Sequence, residues 1–193
     1  MEVKDREDKD IRQPDLKSMN MEELRNWVTG AGQPAFRAKQ IYQWFHVKLA
    51  DGTEEMTNLP KSLREKMDEY GIYGVSVVTR LISEDDGTNK FLFRLHDGNV
   101  IESVLMKYKH GNSVCISSQV GCRMGCAFCA STVAGKVRDL TAGEMLDQVL
   151  FTQLDSGREI SNIVLMGIGE PLDNRDNVLR FLRLVNHPDG LNI

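Results

Sequence analysis

The sequence is poor in cysteine, and its few cysteines are not spread out. There are four in 193 residues, and three of them fall within Cys122–Cys129. A secreted disulfide framework distributes its cysteines across a small chain, so that class is excluded. No apolar run is long enough to span a bilayer. The opening stretch, residues 1–10, is charged and has no apolar core of the kind a signal peptide needs. Together these absences predict a cytoplasmic protein without a membrane partner. There is no basic excess either: 24 Lys and Arg stand against 28 Asp and Glu, for a formal charge of −4. That argues against a broad nucleic-acid surface but leaves room for a local basic patch. His46, His96, His110 and His187 show no ligand spacing.

Hydrophobic residues make up 41% of the chain, enough for a packed core. Four regions differ in texture. Residues 1–19 are charged and lack an apolar period, which predicts a flexible tail. Residues 20–73 read as a helical module. Asn20 caps a first helix carrying Leu24, Trp27 and Val28, and Gly30–Pro34 interrupts it. Phe36, Ile41, Trp44 and Phe45 mark a second helix, and Ser62–Met67 a third closed by Gly71. Aromatics beside Arg37, Lys39 and Lys48 suit RNA docking. On composition alone, a packed core with a solvated cationic face is the commoner meaning of that pattern.

Residues 74–112 alternate between β-rich runs and Asp-Gly turns, which predicts a small antiparallel linker. Residues 113–193 change period again. Ser113–Ser118 reads as a strand, Thr141–Glu144 as a capping box, and Asn162–Met166 as a strand buried on both faces of a parallel sheet. The helix after Thr141 places Met145, Leu146, Val149, Leu150 and Leu154 on one face. The helix from about Arg175 places Val178, Leu179, Leu182 and Val185 inward. The order strand, loop, helix, strand, loop, helix is the start of a βα repeat. Two strands cannot close a barrel, so the expected chain is a piece of a larger βα fold.

Cys122, Cys126 and Cys129 are spaced C-x3-C-x2-C. Thiolates this close usually hold a metal or an iron–sulfur cluster. Three ligands are one short of what a [4Fe–4S] cube needs, so the fourth iron can take a non-protein ligand. A second motif, Gly167-Ile168-Gly169-Glu170-Pro171, follows the next strand. Both motifs fall after the C-terminal ends of core strands, the edge where βα folds build active sites.

Those two motifs in that order resemble the radical S-adenosylmethionine enzymes. Cys115–Cys122, Leu165–Leu172 and Pro34–Ile41 together resemble the RlmN/Cfr family of RNA methyltransferases. The likeness runs from about Met21 to Ile193. It implies an α/β fold made of the first units of a partial (βα)6 barrel, preceded by a helical RNA-binding domain and a short β linker. It implies that Cys122, Cys126 and Cys129 hold a [4Fe–4S] cluster, and that Gly169 and Glu170 meet S-adenosylmethionine at the fourth iron. Cluster reduction then cleaves the sulfonium to a 5′-deoxyadenosyl radical; such cofactors supply the hard chemistry and the protein orients them.

The RlmN branch further implies methylation of adenosine carbon 2 in 23S ribosomal RNA and in tRNA, through a methylcysteine and a resolving disulfide. Cys115 matches the resolving cysteine and Glu102 the proton acceptor. A flavodoxin-like reductant and a monomeric full-length enzyme are the expected partners and state. No counterpart of the methyl-carrying cysteine lies within the chain, so these residues alone are expected to be inactive.

Simpler meanings stand beside each assignment. The three thiols with Cys115 as a fourth would make a zinc site in a non-catalytic RNA-binding module. Cys115 alone reads as a small buried apolar residue. Glu102 on a strand reads as solvent-facing, and Gly167–Pro171 as an ordinary turn. Lys136 and Arg138 suit phosphate contacts or plain surface charge. Carbon-8 methylation, as in the Cfr branch, is the alternative activity.

Overall fold

The computed structural model describes residues 15–50, 52–72 and 74–193. Most of the expected tail lies outside the described residues, but its last part is no tail. Leu16–Ser18 form a 3-10 turn, and Asp15 to Met19 are buried. Three capped or closed helices follow: α1 (Met21–Gly30), α2 (Arg37–His46) and α3 (Lys61–Tyr70). Asn20 caps α1 as its sequence predicts. Its side chain accepts from the Glu22 and Glu23 N–H groups, and Glu23 returns the bond to the Asn20 N–H.

Strands β1 (Ser76–Ile82), β2 (Asn89–Arg94), β3 (Val100–Tyr108) and β4 (Gly111–Cys115) run as an antiparallel meander. A short pair follows, β5 (Gln119–Gly121) and β6 (Lys136–Asp139), then α4 (Ala142–Ser156), β7 (Ile160–Val164) and α5 (Arg175–Val185). β4 and β7 pair in parallel, so five described strands form one sheet in the order β1-β2-β3-β4-β7. The antiparallel meander expected over 74–112 is present, and it is continuous with the βα part. Its strands are most of the sheet, because β3 hydrogen-bonds directly to β4.

α4 covers one face of that sheet and is buried on more than its apolar side. Met145, Leu146, Val149 and Leu150 pack inward as expected, but Glu144, Asp147, Gln148 and Thr152 are buried too, and Leu154 is exposed. The polar side is covered by residues 15–19. Lys17 Nζ sits 3.0 Å from Asp147, and the Gly143 N–H donates to Ser18 Oγ at 2.7 Å. The Val75 N–H also donates to Asp147 at 3.2 Å. Removing one partner of a buried ion pair typically costs about 3–5 kcal/mol. Lys17 and Ser18 look solvent-bound in sequence; polar partners on α4 are what make them interior.

Two further expectations shift. On α5 the buried stripe is Val178, Phe181, Leu184 and Val185, while Leu179 and Leu182 stay partly exposed. The stripe follows 178, 181 and 185, one turn apart, rotated from the predicted face. β7 starts at Ile160, earlier than expected, and only Ile160 is fully buried. Among the described residues β7 is the last strand of the sheet, paired in parallel with β4.

Candidate cofactor site

The cysteine loop grows from a hairpin that the sequence does not advertise. β5 pairs with β6, with Gln119 opposite Asp139 and Gly121 opposite Lys136. Gly121 has φ +71°, and a Cβ there would overlap the Gly135 carbonyl oxygen. Only glycine lets the two ends of the loop close this tightly.

Above this neck the chain opens out. Cys122 is buried, Cys129 half-buried and Cys126 exposed, and all four cysteines are free thiols. The Cys129 N–H donates to the Cys126 carbonyl at 3.0 Å, giving that pair a tight turn. Phe128 and Val133 stand 95% and 87% exposed. Soft thiolate donors fit an iron–sulfur cluster, and nothing lies within 4 Å of where a Gly125 Cβ would be. The loop therefore has the donors and the room. It does not hold them as a closed set: among the described residues no three His, Cys, Asp or Glu side chains form a ligand group.

The second motif is bonded to the base of that loop. The Gly167 N–H donates to the Ile116 carbonyl at 3.0 Å, and the Ser118 and Gln119 N–H groups donate to the Ile168 carbonyl at 2.9 and 3.1 Å. Gly169 has φ +103°, and a Cβ on it would lie 2.5 Å from the Gln119 Cβ. The fold itself thus requires glycine at 169. The Glu170 carboxylate accepts from the Leu172 N–H at 3.0 Å and caps a 3-10 turn, Pro171–Asn174. From beneath, Gln148 of α4 fixes the β4–β5 link. Its side chain accepts from the Ser117 N–H at 2.8 Å and donates to the Ser117 carbonyl at 3.0 Å.

Sequence reasoning passed over the polar residues that join the two motifs. Gln119 and Asp173 are among them. The available signal is a polar amide set between the strand Ser113–Ser118 and Val120. Lys136 and Arg138 are also bound inside the fold. Lys136 reaches Asp139 at 2.8 Å and Asp173 at 3.0 Å, and Arg138 reaches Asp97 at 2.6 Å and Glu144 at 2.7 Å. They are neither free surface charge nor poised for phosphate.

Glu102 and Cys115 come together on the other, open face of the sheet. Val104 pairs with Cys115 across β3–β4, and Glu102 is two residues from Val104, so all three side chains share one face. Cys115 pairs in turn with Val164 of β7. Val104, Met106, Ser113, Cys115, Val164 and Met166 line an open hollow of about 620 Å³, a size in the range of small-ligand sites. Burial pushes the Cys115 thiol up from its usual value, and a hydrogen bond with the Met166 backbone offsets part of that. Glu102 pairs with Lys90 at 2.8 Å and is half-exposed. Cys115 stands on a different sheet from the loop that carries the other three thiols.

Residues 14–72 match the family model described as ribosomal RNA large subunit methyltransferase N-terminal domain. Over 180 residues the chain is 57% identical to "Probable dual-specificity RNA methyltransferase RlmN" of Lachnospira eligens, covering 93% of this chain and 51% of that protein. The chain is similar to these RNA methyltransferases over nearly its whole length. The RlmN of Lachnoclostridium phytofermentans is 58% identical over 180 residues, with the same coverage. A crystal structure of a radical SAM methyltransferase from Sphaerobacter thermophilus superposes with a TM-score of 0.86 at 39% identity, covering 94% of this chain and 54% of that one. The chain thus spans about half the length of the curated relatives it matches. The α/β fold expected from the RlmN/Cfr resemblance is the one observed.

The RlmN N-terminal match starts at residue 14, in agreement with the packing of Asp15 to Met19. Within it, the cations singled out for RNA are already engaged. Arg37 donates to Gln40 at 2.7 Å and to the Asn58 carbonyl at 2.8 Å, Lys39 pairs with Asp189 at 2.9 Å, and Lys48 lies 3.7 Å from the Trp44 ring centre. Phe36 remains 58% exposed beside a hollow also lined by Arg25 and Lys39. Among the described residues no helix is long and apolar enough to cross a membrane.

Proposed function

We propose that the protein is a radical S-adenosylmethionine methyltransferase that modifies carbon 2 of adenosine in 23S ribosomal RNA and tRNA. The observation that carries this reading is the bonding of the three-cysteine loop to the Gly167–Pro171 turn on one edge of the fold. The relatives' names supply the RNA substrate, and the exposed Phe36 beside Arg25 supports an RNA contact on the accessory helices.

In this reading Cys122, Cys126 and Cys129 hold the [4Fe–4S] cluster, and Gly169 and Glu170 meet the donor. When bound, the cluster supplies the electron that cleaves the sulfonium. The remaining residues position groups and move protons. The Glu102 carboxylate, oriented by Lys90, accepts a proton at the substrate, and Cys115 on the same face supplies the thiol that resolves the protein–RNA bond. Cys115 lines the open hollow on that face, where a substrate base could approach it. A flavodoxin-like reductant, a cytoplasmic setting and a monomeric enzyme complete the proposal.

Anaerobic reconstitution of this chain with iron and sulfide is expected to give a brown protein with labile sulfide. Cys122→Ala, Cys126→Ala and Cys129→Ala should each abolish the colour. Zinc uptake without labile sulfide would instead mark a structural metal. In the intact enzyme, mass spectrometry of the methylated adenosine separates carbon 2 from carbon 8.

A further inference from the structure

One buried side chain bonds both the hairpin strand beyond the thiol loop and the glycine turn. Gln119 is fully buried. Its amide donates to Asp139 at 2.8 Å, on β6 beyond the thiol loop, and to Asp173 at 2.9 Å, beyond the glycine turn. Its carbonyl accepts from the Glu170 N–H at 3.0 Å. No other neutral side chain of this size could make those three bonds together: a carboxylate would lose both donations, and an apolar residue would lose all three.

Asp173 extends the connection. Besides Gln119 it binds Lys136 at 3.0 Å and forms an ion pair with Arg123. Arg123 directly follows Cys122, where the thiol loop begins, and Lys136 directly follows Gly135, where it ends. One carboxylate from the turn side thus grips both feet of the loop. The hydrogen bonds from Gln119, Arg123 and Lys136 hold the Asp173 carboxyl below the usual carboxylate range.

We propose that Gln119 and Asp173 are positioning residues that fix the spacing between the thiol loop and the Gly169–Glu170 turn, and so set how a sulfonium donor held by the turn meets the cluster. This rests on the function proposed above. Neither residue touches the donor. Their effect passes through the Glu170 N–H, the Gly169 packing contact and the two feet of the loop. Charge-assisted bonds such as those of Asp173 are stronger than neutral ones, so both residues should matter, Gln119 more because its side chain bonds the turn backbone directly.

The first test needs no cofactor. In the metal-free chain, Gln119→Ala is expected to speed hydrogen exchange at residues 122–135 and 168–172 together, by roughly ten-fold or more, since losing even one of its three bonds would give about that much. Asp173→Asn should speed it by roughly three-fold. Unchanged exchange in either segment for both variants overturns the coupling. Circular dichroism melts identify a variant that simply unfolds, and Asp173→Asn, which preserves shape, then carries the test.

The second test uses the intact enzyme after reconstitution. Gln119→Ala should keep wild-type iron and sulfide content. Its KM for S-adenosylmethionine should rise roughly ten-fold while kcat changes much less, and the shift of the reduced-cluster electron paramagnetic resonance on adding donor should weaken. A loaded variant with wild-type KM and spectrum overturns this inference alone. A wild-type enzyme that takes up no iron overturns the function reading, and the exchange measurement still decides whether Gln119 couples loop and turn.

Discussion

The neck of the thiol loop and its tip are built by opposite rules. At the neck, Gly121 closes against Gly135, and Lys136, Arg138, Asp139 and Gln119 are all paired. At the tip, Phe128 and Val133 point outward, and Cys126 is exposed. The contrast shows where the protein spends its own interactions: on holding the loop's ends, not on shaping its ligand-bearing crest. A three-cysteine loop of this kind is specified by its anchors.

Substitutions at two glycines test that contrast most strongly. Gly121→Ala must strain a left-handed residue and clash with backbone, and it is expected to cost roughly 2–5 kcal/mol in urea unfolding. Gly125 has a similar φ, +70°, but open space around it. Gly125→Ala should cost only about 1 kcal/mol. Equal losses at the two positions would erase the distinction between neck and crest.

Thr141 comes next. It caps α4 at the foot of the hairpin by accepting from the Glu144 N–H at 3.1 Å. Thr141→Ala should lower stability by about 1 kcal/mol in the same assay.

The pH response of the neck follows from Asp97. Burial opposes its charge, but Arg138 and Asn99 outweigh burial and bring its pKa from 3.8 to about 2. A depressed carboxyl contributes stability above its unfolded pKa and loses it as the pH falls through the folded value. Residues 136–139 should therefore exchange amide hydrogens faster, after correction for intrinsic rates, as the pH drops from about 4 to 2. The smallest expected effect is at the crest, where Phe128→Ser should change unfolding free energy by less than about 0.5 kcal/mol. A larger loss there would mean the crest is anchored after all.

Local signals in the sequence were readable where one residue type has one job. Asn20 and Thr141 announce helix starts, the Asp-Gly turns announce the meander, and the cysteine spacing announces the donor set. The β5–β6 hairpin was not readable because strands of three and four residues carry no usable period. Lys17 was not readable because its burial depends on Asp147, 130 positions away. The site split in the same way. The thiols and the glycine turn stand out as motifs, whereas Gln119 and Asp173 gain meaning only from partners that folding delivers. Gly169 shows a further limit: its contact with Gln119 accounts for the glycine without any cofactor, so the motif spells packing as well as recognition.

The buried stitch at Lys17 and Ser18 has a mechanical consequence. The same Asp147 that takes the Lys17 ammonium also takes the Val75 N–H, where the chain passes from accessory helices to sheet. Swinging those helices away from α4 would tear an unpaired charge out of the interior. The accessory helices are in effect a caliper with a fixed jaw, their span to the rest of the molecule set when the chain folds.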